Sequence, residues 1–134
     1  MKRRNFIHHC LYVGAGTTIL SQTAACSLFD VKELNVGKAA EIANKPYFIT
    51  LFNRKDIFIR KTQETWEVFS LICRHKKCTV EYKTDIEQFI CPCHDGVYDK
   101  NGKVLSGPPP APLKRFKVEE RNGDLWVINE VIQA

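Results

Sequence analysis

Beyond Pro46 the chain alternates short apolar segments rich in Phe, Ile, Val, Tyr and Trp with charged or Gly/Asn turns, the pattern of a small all-β domain. The predicted strands are Tyr47 to Phe52, Ile57 to Lys61, Glu67 to Ile72, Thr79 to Tyr82, Gln88 to Ile90, Val97 to Asp99, Phe116 to Glu119 and Leu125 to Ile128. Asn101-Gly102 falls between Val97-Tyr98 and Val104-Leu105, and Asn122-Gly123 falls between Val118 and Trp126. Both dipeptides read as hairpin tips, because Asn and Gly accept the left-handed backbone such turns need. Residues 27–45 are mixed and polar, with Ala39, Ala40, Ile42 and Ala43 hinting at one helical turn, and they read as a linker. There is no internal repeat. The run Pro108-Pro109-Pro110, with Pro112 close behind, is rigid and extended.

The N-terminus has a different pattern. Lys2, Arg3 and Arg4 open the chain, and the next charge is Asp30. A basic start followed by an uncharged stretch reads as an export signal. Between Cys10 and Cys26 that stretch is only mildly apolar, broken by Gly14, Gly16, Thr17, Thr18, Ser21 and Gln22, which is weak for a spanning helix. Arg3-Arg4-Asn5-Phe6-Ile7 resembles the twin-arginine pattern R-R-x-F-L/I, which marks proteins exported after folding around a cofactor. Thr23-Ala24-Ala25-Cys26 resembles a lipobox, with Thr23 in a place usually held by an aliphatic residue, so Cys26 is a lipidation candidate. An uncleaved anchor and a cleaved soluble form are the alternatives. The chain is thus expected to divide into a signal or anchor at 1–26, a linker at 27–45 and a folded domain at 46–134, on the periplasmic side of a bacterial cytoplasmic membrane.

Charge and cysteine content narrow the function. The 134 residues carry a formal net charge of +5. From Cys26 onward, however, there are 17 basic and 15 acidic side chains, a balance that leaves no nucleic-acid footprint. A folded domain of roughly a hundred residues has a marginal core unless staples support it. The six cysteines supply them as disulfides, metal ligands or both.

Cys73-Arg74-His75 and Cys91-Pro92-Cys93-His94 present two Cys/His pairs fifteen residues apart, each just after an apolar strand and so in a loop. Two Cys and two His also satisfy tetrahedral zinc. Common zinc modules pair like ligands within a loop, whereas here each loop offers one thiolate and one imidazole. Cys78 and Cys93 are left over, one near each pair, where an oxidising compartment would join them.

These features resemble the Rieske proteins, whose motifs C-x-H-x-G-C and C-P-C-H-G-S correspond to Cys73-Arg74-His75-Lys76-Lys77-Cys78 and Cys91-Pro92-Cys93-His94-Asp95-Gly96. Gly107-Pro108-Pro109-Pro110-Ala111-Pro112-Leu113 resembles the family's proline loop. The resemblance implies small antiparallel sheets with a cluster-binding subdomain at about 72–113 and a [2Fe-2S] cofactor. It implies that Cys73 and Cys91 hold one iron, that His75 and His94 hold the other, and that Cys78 pairs with Cys93. Two imidazoles in place of two thiolates make their iron the electron acceptor and raise the potential to roughly −150 to +300 mV. Imidazoles able to release a ring proton would couple the electron to a proton, as quinol oxidation requires. The extra cysteine pair is typical of respiratory members and is usually missing from Rieske ferredoxins and dioxygenases.

The sequence departs from the family pattern at the cluster edge. Lys76 and Lys77 stand where leucine and glycine are usual, putting two cations where an apolar quinol pocket would receive them poorly. Gly96 takes the place of a serine that donates a hydrogen bond to a cluster sulfur, while Tyr98 matches a second hydroxyl donor, aimed at a cysteine ligand. Asp95 replaces glycine and adds a carboxylate beside His94.

Two electron-transfer roles follow from the resemblance. One is the iron-sulfur subunit of a quinol-oxidising cytochrome bc-like complex, partnered by a cytochrome b-like subunit and a c-type cytochrome. The other is the small subunit or carrier of a different periplasmic oxidoreductase, such as an arsenite oxidase-like enzyme. A structural zinc domain is the reading from another class. No substrate pocket is legible, so any catalytic activity belongs to a complex and not to this chain alone.

Overall fold

The computed structural model describes residues 30–132. The export signal and Cys26 lie outside the described residues. Among the described residues no helix is long and apolar enough to cross a membrane.

Ten strands form two antiparallel sheets. The larger contains β1 (Glu33–Lys38), β2 (Phe48–Phe52), β3 (Lys55–Lys61), β4 (Trp66–Ser70), β9 (Arg115–Arg121) and β10 (Asp124–Ile132), in spatial order β1-β10-β9-β4-β3-β2. The smaller contains β5 (Glu81–Lys83), β6 (Gln88–Cys91), β7 (Gly96–Tyr98) and β8 (Val104–Ser106), paired in chain order. The all-β expectation holds, and each predicted strand from Tyr47 onward overlaps an observed one.

The strand β4 organises the packing, because every one of its residues is buried. Trp66 and Val68 enter one apolar cluster with Ile57, Ile59, Leu125 and Val127. Phe69 enters the other with Phe58, Phe89 and Tyr98, on the side facing the small sheet. The period-2 alternation of a strand thus supplies both cores from one segment. Aromatic rings cement the second: Phe58 meets Phe89 edge-on with centroids 5.1 Å apart, and Tyr47 stacks on Phe58 at 5.2 Å.

The linker expected over 27–45 is corrected by the structure. Residues 33–38 are β1, paired along β10 with Leu34 opposite Val127, and α1 (Ala39–Ala43) buries Ala39 and Ile42 in the first core. The alternation is visible in retrospect, with Leu34 and Val36 half-buried between exposed Glu33 and Asn35. It is short, and it is interrupted at Gly37, which has φ +121° at a register shift against β10.

Both expected hairpin tips form. Asn122 and Gly123 have φ of 53° and 80° between β9 and β10. At Asn101-Gly102 the Asp99 carboxylate accepts hydrogen bonds from the backbone N–H groups of Asn101 and Lys103, at 2.8 and 2.9 Å. A third tip, Asn53-Arg54, joins β2 to β3 with φ of 48° and 64° and contains no glycine to announce it.

Candidate metal centre

Three loops project from the strand ends and meet. The first runs from Cys73 to Cys78 between β4 and β5, and is closed by a bridge between Ile72 and Thr79 and by the Cys73 N–H donating to the Cys78 carbonyl at 2.8 Å. The second is the turn 92–95 joining β6 to β7, with Cys91 opposite Gly96. The third, Gly107 to Leu113, connects β8 to β9.

The sulfurs of Cys73 and Cys91 are both free thiols and both buried. Burial pushes the Cys91 thiol up, although the N–H groups of Cys93 and His94 point at it. Burial also acts on Cys73 in that direction, but the Tyr98 hydroxyl, the N–H groups of His75 and Lys76 and the neighbouring Cys91 outweigh it and bring that thiol below its usual range. Loop N–H groups aimed at a buried sulfur are what a thiolate ligand needs in place of water.

The imidazoles complete the set. The rings of His75 and His94 lie edge to face with centroids 4.9 Å apart. Nδ1 of His75 is buried and has no hydrogen-bond partner, a costly state for a polar nitrogen unless it ligates a metal. His75 is half-buried and His94 exposed, so the site is closed at its thiol end and open at its imidazole end.

Cys78 and Cys93 form a disulfide with their Cα atoms 6.5 Å apart, tying the first two loops together. Their sulfurs lie with that of Cys91 inside a span of 4.8 Å. Being oxidised, however, they offer no thiolate to an ion, which leaves Cys73, Cys91 and the two imidazoles as the groups that could hold one. Two thiolates and two imidazoles, one with an orphaned inner nitrogen, fit a binuclear cluster with mixed sulfur and nitrogen ligation.

Each departure from the sequence motif has a place in this geometry. Lys77 and Asp95, standing where the motifs have glycine, have φ of 62° and 55°, so the backbone there is left-handed without the residue that adopts it freely. Lys76 and Lys77 are both exposed. At Gly96 a Cβ would lie 2.7 Å from Cγ of Pro109. A serine there would push the proline loop outward. Gly107, at φ +87°, rests on the Asp95-Gly96 peptide, where an added Cβ would meet the Asp95 carbonyl oxygen at 2.8 Å. Pro109 is buried between exposed Pro108 and Pro110.

On β4, outside the three loops, lies a buried ion-paired group that no motif announces. Glu67 on β4, only 8% exposed, pairs with Arg60 at 2.7 Å and Arg115 at 3.3 Å. Arg60 also donates to the Lys100 carbonyl at 2.6 Å, fastening the large sheet to the turn between β7 and β8. The available signal was a single carboxylate inside the otherwise apolar run Trp66 to Phe69.

Comparison with known proteins gives the family. Residues 32–117 match the model of the Rieske [2Fe-2S] domain. The chain is 30% identical over 139 residues to the cytochrome b6-f complex iron-sulfur subunit of Chlorobaculum thiosulfatiphilum, covering 96% of this chain and 76% of that protein. It is 44% identical over 62 residues to the menaquinol:cytochrome c reductase iron-sulfur subunit of Geobacillus thermodenitrificans, covering 43% of this chain and 37% of that one. The fold is shared with the plasma membrane Rieske protein PetC3 of Synechocystis, at a TM-score of 0.59 and 24% identity over 70% of this chain and 97% of that chain. The zinc reading therefore falls away, and the chain belongs to the Rieske [2Fe-2S] family.

Proposed function

We propose that this chain is the electron-transfer subunit of a quinol-oxidising cytochrome bc-like complex, with Cys73 and Cys91 holding one iron of the cluster and His75 and His94 the other. The observation that carries the reading is the asymmetry of the site, thiols buried and His94 exposed. When bound, the cluster supplies one-electron chemistry at a potential that the two neutral imidazoles raise. The protein excludes water from the two sulfurs, fixes both loops through the Cys78–Cys93 disulfide, and presents the His94 edge to a partner. With Nδ1 of His75 turned inward, Nε2 is the nitrogen left on that ring to carry a proton. The relatives named above are subunits of a cytochrome b6-f complex and of a menaquinol:cytochrome c reductase, which supports a cytochrome b-like partner, a c-type cytochrome as electron acceptor and a quinol as donor. Export by the twin-arginine segment and attachment at the periplasmic face, through Cys26 or a retained anchor, complete the proposal.

Electron paramagnetic resonance of the purified full-length protein tests the ligand set. The expected spectrum is that of a nitrogen-ligated [2Fe-2S] centre, lost in His75→Ala and in His94→Ala. A spectrum that persists in either variant contradicts the assignment.

A second reading, the small subunit of an arsenite oxidase-like enzyme, is favoured by exposed Lys76 and Lys77 at the rim, since ammonium groups suit an apolar quinol pocket poorly. Purification from membranes separates the two. Co-isolation of a b-type haem supports the first, and of a molybdenum enzyme the second.

A further inference from the structure

A groove of about 720 Å³ runs from the turn between β2 and β3, past the end of β10, to the loop that carries Cys73. Its apolar wall includes Phe116, Ile72 and Val131, and its rim carries Lys55, Arg74, Lys77 and Lys114. The lone carboxylate among its lining residues, Asp30, lies 3.7 Å from Arg54. None of the four rim cations forms an ion pair with a described residue, whereas Arg60, Arg115 and Arg121 elsewhere are each paired. Four cations with no ion-pair partner among the described residues thus gather around one partly apolar concavity, in a chain whose charges nearly balance beyond Cys26.

We propose that this groove is a docking site for an acidic segment of a protein partner, one that alternates carboxylates with apolar side chains. The carboxylates would meet the rim and the apolar groups the wall. The chain's own N-terminal segment is a poor occupant, because residues 1–29 contain no Asp or Glu. A flat anionic membrane is a poor one too, since the apolar wall is recessed in a concavity. The site is distinct from the exposed His94 edge, and an occupant would sit against the Cys73 side of the centre. The inference rests on the ligand assignment only in that last respect; the charge pattern stands without it.

The test uses the full-length protein and a short fluorescent peptide in which Glu and Asp alternate with Leu and Phe, followed by fluorescence anisotropy. Binding is expected to weaken with added salt. It should also weaken about tenfold in Lys55→Glu/Lys114→Glu, whose sites are exposed rim positions, and stay unchanged in Lys45→Glu/Lys61→Glu. Equal binding of the peptide's lysine counterpart overturns the proposal, as does a Lys55→Glu/Lys114→Glu variant that binds like the parent. Binding to phosphatidylglycerol vesicles, lost in the same variant while the peptide fails to bind, overturns it in favour of a lipid surface. The cluster's resonance spectrum, recorded on each sample, separates failures. Its absence from the parent defeats the ligand assignment, whereas an intact spectrum with no peptide binding defeats the docking site alone.

Discussion

The hydroxyl oxygen of Tyr98 lies 3.4 Å from Sγ of Cys73 and accepts the backbone N–H of Arg74 at 3.1 Å. With its lone pair engaged by Arg74, the hydroxyl has its own proton free for the sulfur. Burial, and then the bond to Cys73, push the phenol well above its ordinary range, so it remains a donor throughout the working pH range. A donor to a ligand sulfur favours the reduced, more negative cluster. Tyr98→Phe should therefore lower the midpoint potential. If the bond differs by about 1 kcal/mol between redox states, the shift for this one-electron couple is on the order of 40 mV. Protein-film voltammetry on the two proteins checks it, and coincident potentials would show that the hydroxyl does not act on the centre.

Lys77 and Asp95 hold left-handed backbone at the two motif glycine positions. A left-handed conformation costs an ordinary residue roughly 1–2 kcal/mol, while glycine adds unfolded-chain entropy of about 0.4–1 kcal/mol. Lys77→Gly should thus stabilise the fold by about 0.5–1 kcal/mol. Asp95→Gly should gain less, because Asp tolerates this region through local hydrogen bonds. Urea unfolding midpoints of the disulfide-intact proteins give the comparison. A destabilised Lys77→Gly would mean that the lysine side chain makes a contact outweighing the backbone cost.

Much of this architecture is legible in the residues themselves. The second core follows from runs such as Trp66 to Ser70 and Gln88 to Cys91, where strand periodicity and flanking turns agree. The Cys/His pairs are legible because a ligand set needs fixed residue types at short spacing. The strand Glu33–Lys38 is not, since half of its side chains are polar and Gly37 breaks its alternation. What holds that strand is its long-range pairing with β10, which periodicity does not reveal. Nor is the contact between Gly96 and Pro109 readable, because it joins two loops whose approach depends on the whole small sheet. From sequence the glycine signifies a missing hydroxyl; in the fold it is also the space that Pro109 needs.

Gly107 and Gly96 should therefore respond differently to alanine. At Gly107 a methyl group meets backbone atoms of Asp95 and Gly96 at 2.8 Å, and the residue is left-handed, so neither neighbour yields cheaply. At Gly96 the methyl meets side-chain atoms of Pro109, at 2.7 and 3.1 Å, and the residue is not left-handed, so the backbone cost is absent. Gly107→Ala is expected to cost about 2–4 kcal/mol and Gly96→Ala about 1–3 kcal/mol. Thermal unfolding ranks the two. Faster loss of cluster absorbance in Gly96→Ala would further indicate that Pro109 shields the site, whereas equal loss rates in parent and variant would deny it that role.

The edge strand β1 is clasped by charge, and the clasp has a pH window. Arg121 on β9 reaches Glu33 through both of its terminal nitrogens, at 3.0 and 3.1 Å, and bonds Glu119 at 2.6 Å. Hydrogen bonding to Arg121 holds the carboxyls of Glu33 and Glu119 below their ordinary value of 4.5. Carboxylates with depressed folded-state pKa values contribute stability that is present above the unfolded value and is lost as pH falls through the folded one. At the other end of β1, Lys38 pairs with Asp124 at 2.6 Å, and that bond raises the lysine and lowers the aspartate, so the pair's share is lost both as pH rises through the folded lysine value and as it falls through the folded aspartate value. These groups are exposed, so each pair contributes little and salt weakens it. Arg121→Met is expected to speed amide exchange along β1 at neutral pH and low salt. The difference from the parent should shrink once the medium is acidic enough to protonate Glu33 and Glu119, and should be unaffected by moderate alkalinity. A difference that stays constant from neutral pH into acid would assign the clasp to packing of the Arg121 stem over Trp126, where the guanidinium lies 5.6 Å from the ring, instead of to its charge.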